Sequence, residues 1–324
     1  MRHSFFYDRR GLLRLIGAGA ALAAVPAFAA DKPASPAPAR PAAPGKTHIF
    51  PDIIGEVTSY TIKEADTLFD LAVEFRVGFI ELAAANQGVP VWVPEVGSSI
   101  TVPTAHILPD ASREGLVVNL GDMRVYYFPV DGGPIDSSAI GVGSEGALTP
   151  MGKAKILRKQ AKPTWYPPAS IRKEKPELPA VVKPGPDNPL GDYAMYLSWP
   201  AYLIHGTNLP PGVGRRTSHG CIRMYPVDIE RLFHRVPIGA QVTVVNQPIK
   251  FGWRTGDLYM EAHPSLKQSD ELEDEGKFTP ERAGNVEMLA KKAAGKYADQ
   301  IDWNSVNEVV EHRTGLPVRI IKAA

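Results

Sequence analysis

The sequence predicts a mainly β protein, with a small β-α-α-β domain ahead of the principal β-rich domain and an α-containing segment behind it. Between Arg113 and Pro248, short apolar and β-branched runs alternate with Gly, Pro, Asn and Asp, the pattern of strands and turns. Between Gly55 and Thr104 a strand-like run, two helix-like runs and a second strand-like run follow one another within about 50 residues. After Phe251 the strand pattern gives way to an acidic stretch and a capped helix. A chain of 324 residues also exceeds what one hydrophobic core usually organises, so more than one domain is expected.

The elements can be justified in order. Residues 1–29 read as a signal peptide: Arg2, Arg9, Arg10 and Arg14 precede or open an apolar run from Gly11 to Ala24, and Ala27-Phe28-Ala29 offers a cleavage site. Arg9-Arg10-Gly11-Leu12-Leu13-Arg14 suits twin-arginine export, and ordinary secretion fits equally. Either route places the mature chain in the periplasm. Residues 30–54 form a Pro- and Ala-rich linker, a composition that cannot bury a core. In residues 55–104, Tyr60-Thr61-Ile62 reads as a strand and Asp66 as the cap of a helix bearing Leu68, Leu71, Ala72 and Phe75. Glu81 to Asn86 reads as a second helix, and Ser99 to Pro103 as the returning strand.

In residues 110–250, Leu116 to Leu120 and Met123 to Phe128 flank Gly121-Asp122, which predicts a two-residue hairpin turn. Further strands are expected at Ser138–Val142, Lys153–Leu157, Tyr202–His205 and Gln241–Val245, and one helix at Asp228–Phe233. The stretch from Lys162 to Pro189 holds eight prolines in 28 residues together with Trp165 and Tyr166, which predicts a cleft wall or lid that reaches substrate. In residues 251–324, Asp270 to Glu275 suggests a solvated acidic face, and a helix is expected from about Asp302 to Thr314, with Ser305 and Glu308 in capping-box spacing.

Composition removes several function classes. Lys and Arg total 36 against 35 Asp and Glu, so the basic excess that draws proteins onto nucleic acid or anionic lipid is missing. No run approaches the roughly 20 apolar residues of a membrane span. Gly146 and Gly152-Lys153 are mis-spaced for a phosphate loop, Pro150 interrupts them, and Ala154 replaces the metal-binding hydroxyl. A single cysteine excludes an intrachain disulfide and multi-cysteine metal sites. In an exported protein it leaves a thiol that is either working or inert.

That cysteine lies in the stretch His205-Gly206-Thr207-Asn208 … Ser218-His219-Gly220-Cys221-Ile222-Arg223-Met224. A free thiol with a pKa near 8.5 is only slightly ionised at neutral pH, so an imidazole that takes its proton and later returns it to a leaving amine supplies what nucleophilic catalysis needs. His205, ending an apolar strand, can be brought to the thiol by strand pairing and is assigned as general base and acid. His219, two residues from Cys221, is assigned as an orienting or electrostatic neighbour. Backbone N–H groups at Gly220 and Cys221 are candidate oxyanion donors. Zinc ligation by Cys221, His205 and His219 is the competing chemistry.

His205-Gly206 followed by Ser218-His219-Gly220-Cys221-Ile222-Arg223 resembles the catalytic motif of L,D-transpeptidases with a YkuD-type β-sandwich domain. Thr149-Pro150-Met151-Gly152, Pro163-Thr164-Trp165, Pro184 to Gly191 and Val236-Pro237-Ile238-Gly239 look like the periplasmic branch of that family. The β-α-α-β region, with Tyr60, Asp66-Thr67-Leu68, Asn86 and Ile100-Thr101-Val102-Pro103, resembles a LysM peptidoglycan-binding module, with Ala65 where that family usually has glycine. The resemblance implies Cys221 as nucleophile, His205 as proton carrier, a backbone carbonyl orienting His205, and Arg223, Gly206, Trp165 and Tyr166 as substrate contacts. It implies acyl transfer from a tetrapeptide stem, releasing D-Ala, to an amine on another stem or on an envelope lipoprotein, with no cofactor. The alternatives are water as acceptor, giving a carboxypeptidase or amidase, and a non-catalytic wall-binding protein. Arg223 pairing with Asp228 is the structural alternative for that arginine.

Overall fold

A computed structural model describes residues 50–144 and 146–321, so the signal peptide and most of the linker lie outside the described residues. The first elements are β1 (Ile53–Ile54), β2 (Thr58–Thr61), α1 (Leu68–Phe75), α2 (Phe79–Ala85), β3 (Ser99–Val102) and β4 (His106–Ile107). β2 and β3 pair antiparallel, with α1 and α2 between them. Thr67, not Asp66, caps α1, accepting from Asp70 N–H at 3.0 Å. Asp66 is drawn inward instead, accepting from the Tyr60 hydroxyl at 3.0 Å and Lys63 N–H at 2.8 Å. Ala65 takes φ +66°, the left-handed conformation that favours glycine, which accounts for the usual residue at that place.

The β-rich region holds β5 (Gly115–Asn119), β6 (Arg124–Phe128), β7 (Asp136–Gly143), β8 (Gly152–Ala161), α3 (Ala169–Glu174), β9 (Tyr193–Leu197), β10 (Leu203–His205), β11 (Arg216–Ser218), β12 (Ile222–Met224), α4 (Pro226–Arg235) and β13 (Gln241–Val245). Two strands are shared between layers. The first part of β7 pairs with β6 and its later part with β12, while β8 pairs first with β13 and then with β9. The layer β6-β5-β13 is thereby stitched at both edges to the layer β9-β10-β12, giving a closed two-layer sandwich. Leu116, Val118, Ile140, Ile156, Met195, Ile204, Ile222 and Val244 fill its interior, every second residue of each strand, as the period of a half-buried strand requires.

The hairpin β5–β6 differs from expectation. Its last pair is Asn119 with Arg124, so four residues turn rather than two. Asp122 swings inward, where its carboxylate accepts from the Tyr126 hydroxyl at 2.7 Å and meets Lys250 Nζ at 2.5 Å. That ammonium also lies 2.8 Å from Glu261, which holds His263 at 2.6 Å. The cluster is fully buried. Asp122, Glu261 and His263 could by themselves surround a cation, and Lys250 supplies the positive charge between the two carboxylates.

β14 (Ile249–Arg254), β15 (Asp257–Ala262) and β16 (Val318–Arg319) form a separate antiparallel sheet, packed with α6 (Val286–Ala294) and α7 (Trp303–His312), while α5 (Leu266–Glu275) packs on α2 and adds Leu272 to the sandwich's core. Leu258, Met260, Ala290, Val306 and Ile320 give this segment its own core. Asp302, rather than Ser305, caps α7, accepting from Asn304 N–H at 3.1 Å. The acidic run is helical, and Glu273 within it pairs with Arg215.

The β-α-α-β region shares a core with the sandwich: Leu71, Phe79 and Leu82 belong to the same buried cluster as Ile140 and Ile229. Glu81 of α2 is buried and meets Arg124 at 2.8 Å and His106 at 3.4 Å. Gly214 packs so tightly on Gly78 that a Cβ there would fall 2.2 Å from the Gly78 α-carbon. The β-α-α-β region and the sandwich therefore pack as one compact unit.

Lys250→Met should cost about 3–5 kcal/mol of unfolding free energy in urea near neutral pH, because it strands two buried carboxylates against each other. The loss should shrink on moderate acidification, since a proton on either carboxylate relieves the repulsion. A variant as stable as wild type at neutral pH would show that the ammonium is not what holds the cluster.

Candidate active site

Strand register assembles the site. Ile222 of β12 pairs with Ile204 of β10, and Arg223 pairs with His205. β10 pairs on its other side with β9, Leu203 facing Tyr196 and His205 facing Ala194. Met195, Ile204 and Ile222 are buried in the core, so alternation turns Tyr196, Leu203, His205, Cys221 and Arg223 to the opposite face. His205 thus lies directly across from Arg223 and diagonally from Cys221.

The turn before Cys221 is over-determined. Gly220 has φ +98°, and a Cβ on it would lie 2.8 Å from the Tyr202 ring, so glycine is required twice over. Ser218 Oγ accepts from Gly220 N–H at 3.2 Å and donates to the Cys221 carbonyl at 2.6 Å. Thr149 Oγ1 donates to the Gly220 carbonyl at 2.9 Å and accepts from Gly143 N–H at 3.1 Å. The Gly220 N–H, expected as an oxyanion donor, is therefore engaged by Ser218. Thr149 and Ser218, whose motifs give them no role in the sequence, are both buried clamps on the turn before Cys221.

His205 is buried, and its Nδ1–H donates to the Gly206 carbonyl at 2.6 Å, which leaves Nε2 as the proton acceptor. The orienting carbonyl expected from the sequence is thus that of the next residue. Gly206 is itself buried, and a Cβ there would lie 3.2 Å from the Ile229 side chain and 3.3 Å from the Leu190 carbonyl. Cys221 Sγ donates to the Ala201 carbonyl at 3.6 Å, and the sulfur receives the Leu203 N–H.

Charges at the site favour the neutral pair. Burial pushes the Cys221 thiol up, against the Leu203 N–H and the Arg223 guanidinium, which pull it down. Burial and Arg223 together hold His205 down at about 4, with only its bond to Gly206 opposing. Arg223 is partly buried beside both groups, and its nearest polar partner is Thr217 Oγ1 at 3.4 Å. Asp228, its alternative partner by sequence, pairs with Arg76 and Arg231 instead. Among the described residues no carboxylate pairs with this guanidinium, which leaves it able to take an anion.

The proline-rich stretch folds back on itself: Trp165 and Val182 exchange two backbone bonds of 2.9 Å, and buried Asn188 donates to the Pro163 carbonyl at 2.8 Å. Glu174, the last residue of α3, binds His219 Nε2 at 2.8 Å, which commits that imidazole to the loop. Trp165 is half-buried and Tyr166 is exposed, and among the described residues no hydrogen bond or ring contact joins either to Cys221, His205 or Arg223.

The L,D-transpeptidase catalytic domain, YkuD, matches residues 113–244, and the LysM domain matches residues 60–103. The chain is similar to "Probable L,D-transpeptidase ErfK/SrfK" of Salmonella typhimurium, 38% identical over 276 residues that cover 83% of this chain and 87% of the relative. It is also similar to "Probable L,D-transpeptidase YcfS" of Escherichia coli, 36% identical over 312 residues that cover 94% and 92% of the two chains.

Arg223→Gln should raise both titrations, because the guanidinium lowers each: His205 should move up from about 4 and the Cys221 thiol further up. Imidazole NMR and thiolate absorbance read the two groups separately. Between the unfolded histidine value of about 6.5 and the folded value, the unfolded chain binds a proton that folded His205 refuses, so stability should fall as pH drops through that window. Titrations unchanged by the substitution would remove Arg223 from the electrostatics of the pair.

Proposed function

The chain belongs to the L,D-transpeptidase family, and we propose that it uses Cys221 to transfer the acyl group of a peptidoglycan tetrapeptide stem to an amine. One observation carries the assignment of residues: the lone thiol shares a sheet face with a buried imidazole whose Nδ1 is fixed and whose Nε2 is unprotonated, with a guanidinium beside both.

The resting pair is neutral, so attack and proton transfer run together. Sγ bonds to the carbonyl carbon between the third stem residue and D-Ala while its proton passes to His205 Nε2. The tetrahedral oxyanion is received by the Cys221 N–H, since Gly220's is occupied. Collapse breaks the C–N bond, His205 returns the proton to the departing D-Ala amine, and a thioester remains. An acceptor amine then attacks the thioester, gives its proton to His205, and the sulfur leaves as thiolate to recover that proton. Bond energy passes from amide to thioester to amide, so the chemistry calls for neither ATP nor a cofactor. Arg223 holds the D-Ala carboxylate of the donor, and His219 with Glu174 fastens the proline-rich loop beside the nucleophile.

The acceptor is the side-chain amine of a second stem or a lysine of an envelope lipoprotein. The N-terminal export signal puts the enzyme in the periplasm, the LysM-like region holds it to glycan strands, and no helix among the described residues is long and apolar enough to cross a membrane.

Purified enzyme given a soluble tetrapeptide should release D-Ala and form cross-linked dimer. Cys221→Ala should release none, His205→Ala should be slower by roughly 10²- to 10⁴-fold, and His219→Ala should lose less. Trimmed monomer without dimer, in the presence of abundant acceptor amine, would make water the acceptor. D-Ala release by Cys221→Ala at the wild-type rate would end the proposal.

A further inference from the structure

Three consecutive peptide groups surround the nucleophile's α-carbon and the one before it, and hydroxyls hold all three. Ser218 Oγ takes the Gly220 N–H at 3.2 Å and gives its proton to the Cys221 carbonyl at 2.6 Å, so it fixes the groups before Gly220 and after Cys221. The group between them is held by a different side chain: Thr149 Oγ1 donates to the Gly220 carbonyl at 2.9 Å and accepts from the Gly143 N–H at 3.1 Å. That middle group carries the Cys221 N–H. We propose that Thr149 is a positioning residue for the oxyanion, aiming and polarising the Cys221 N–H through the peptide group that it holds. The inference rests on the acyl-transfer reading above and concerns one step of it, formation of the tetrahedral intermediate.

Aim follows from the planarity of the amide. In a trans peptide group the C=O and N–H point in opposite directions, so a hydroxyl anchored on the carbonyl sets where the N–H points. Gly220 makes the anchor necessary. It stands at φ +98° with no Cβ to restrict it, and the peptide plane that follows such a residue swings freely unless something tethers it. The other hydrogen bonds of Cys221 run through its sulfur, with the Ala201 carbonyl and the Leu203 N–H, and through its carbonyl. Among the described residues its N–H has no acceptor. When Sγ bonds to a carbonyl carbon, the oxygen comes within reach of that N–H, since only three bonds separate the nitrogen from the sulfur.

Polarisation follows from the chain of bonds. It runs from the Gly143 N–H through the Thr149 hydroxyl to the Gly220 carbonyl, and its far end is the Cys221 N–H. An amide whose oxygen accepts a hydrogen bond draws electron density from its nitrogen, so its N–H becomes a stronger donor, and linked bonds strengthen one another in this way. Packing encloses the chain. Thr149 is buried, and a Cβ on Gly143 would fall 2.8 Å from the Thr149 nitrogen and 3.0 Å from the Gly220 α-carbon, so the three backbone segments are in direct contact around the hydroxyl. Among the described residues no hydrogen bond joins Thr149 to the Cys221 sulfur or to His205. Loss of the hydroxyl therefore weakens the oxyanion donor and leaves the thiol and its proton carrier as they are.

The test separates attack on a carbonyl from attack on a saturated carbon. Iodoacetamide alkylates Cys221 as Sγ bonds to its methylene carbon and iodide leaves, which uses the thiol and its proton acceptor but forms no oxyanion. A tetrapeptide donor uses all three. In the full chain bearing Thr149→Val, which keeps the shape of the side chain and removes the hydroxyl, the single-turnover rate of D-Ala release at saturating donor should fall roughly 10- to 100-fold, while alkylation stays within about threefold of wild type. Thr149→Ser, which restores the hydroxyl, should bring D-Ala release back to within about threefold of wild type. Thr149→Ala, with room for a water in place of the hydroxyl, is read by the same comparison if the valine variant does not fold. D-Ala release at the wild-type rate in the folded Val or Ala variant, alkylation that falls in step with D-Ala release, or no recovery with serine would each overturn the assignment of Thr149. Wild-type enzyme that releases no D-Ala would overturn the acyl-transfer reading instead.

Discussion

The fold is organised around buried charge. Lys250 from the C-terminal segment sits between Asp122, from the β5–β6 turn, and Glu261, and Glu81 from the β-α-α-β region sits against Arg124, two residues along the same hairpin. None of these groups can be taken from water alone without a penalty of several kcal/mol, so each segment is only well formed when the others supply its counter-charge. One hairpin, residues 115–128, thereby receives a cation from behind and an anion from the front. The widened turn at Asp122, the burial of His106 and the elevated Tyr126 hydroxyl are all consequences of that constraint.

The constraint reaches the site through packing. Gly214, whose contact with Gly78 leaves no room for a side chain, lies between His205 and Cys221 in sequence, and its N–H donates to Ile140 of β7 at 3.0 Å. Arg215, the next residue, is taken by Glu273 of the acidic helix. The segment that separates His205 from Cys221 is therefore gripped by the sandwich, the β-α-α-β region and the C-terminal segment together. The outcome is a turn at Gly220 held from several sides, with Cys221 placed diagonally from His205 across one strand step. Such rigidity suits a reaction in which a neutral thiol must lose its proton at the moment it attacks.

Much of this was legible in the residues, and the gaps have physical causes. Period-2 alternation located the strands of the sandwich, with Gln241–Val245 matching to the residue, because burial on one face leaves a direct mark on sequence. The placement of His205 beside the cysteine strand was legible because an apolar run ending in His reads as a strand that can pair there. Caps were misplaced by one to three residues where a neighbouring acidic side chain competed: Asp66 was claimed by Tyr60, and Asp302 displaced Ser305. The hairpin turn was misread because Gly121-Asp122 is a good local turn, and a lysine 128 residues away overrides it. Thr149 and Ala201 carried no local signal, since their contacts with the turn at Cys221 come from long-range packing, which the sequence of one strand does not contain. The carbonyl that orients His205 was expected without a position, and it is that of Gly206, the next residue.

The covalent intermediate offers the most direct measurement. Enzyme mixed with tetrapeptide donor in the absence of acceptor amine, quenched in acid and analysed by intact mass, should carry one adduct equal to the donor minus D-Ala, and digestion should place it on the peptide containing Cys221. An adduct that retains D-Ala, or one carried on any other residue, would contradict thioester formation at this thiol.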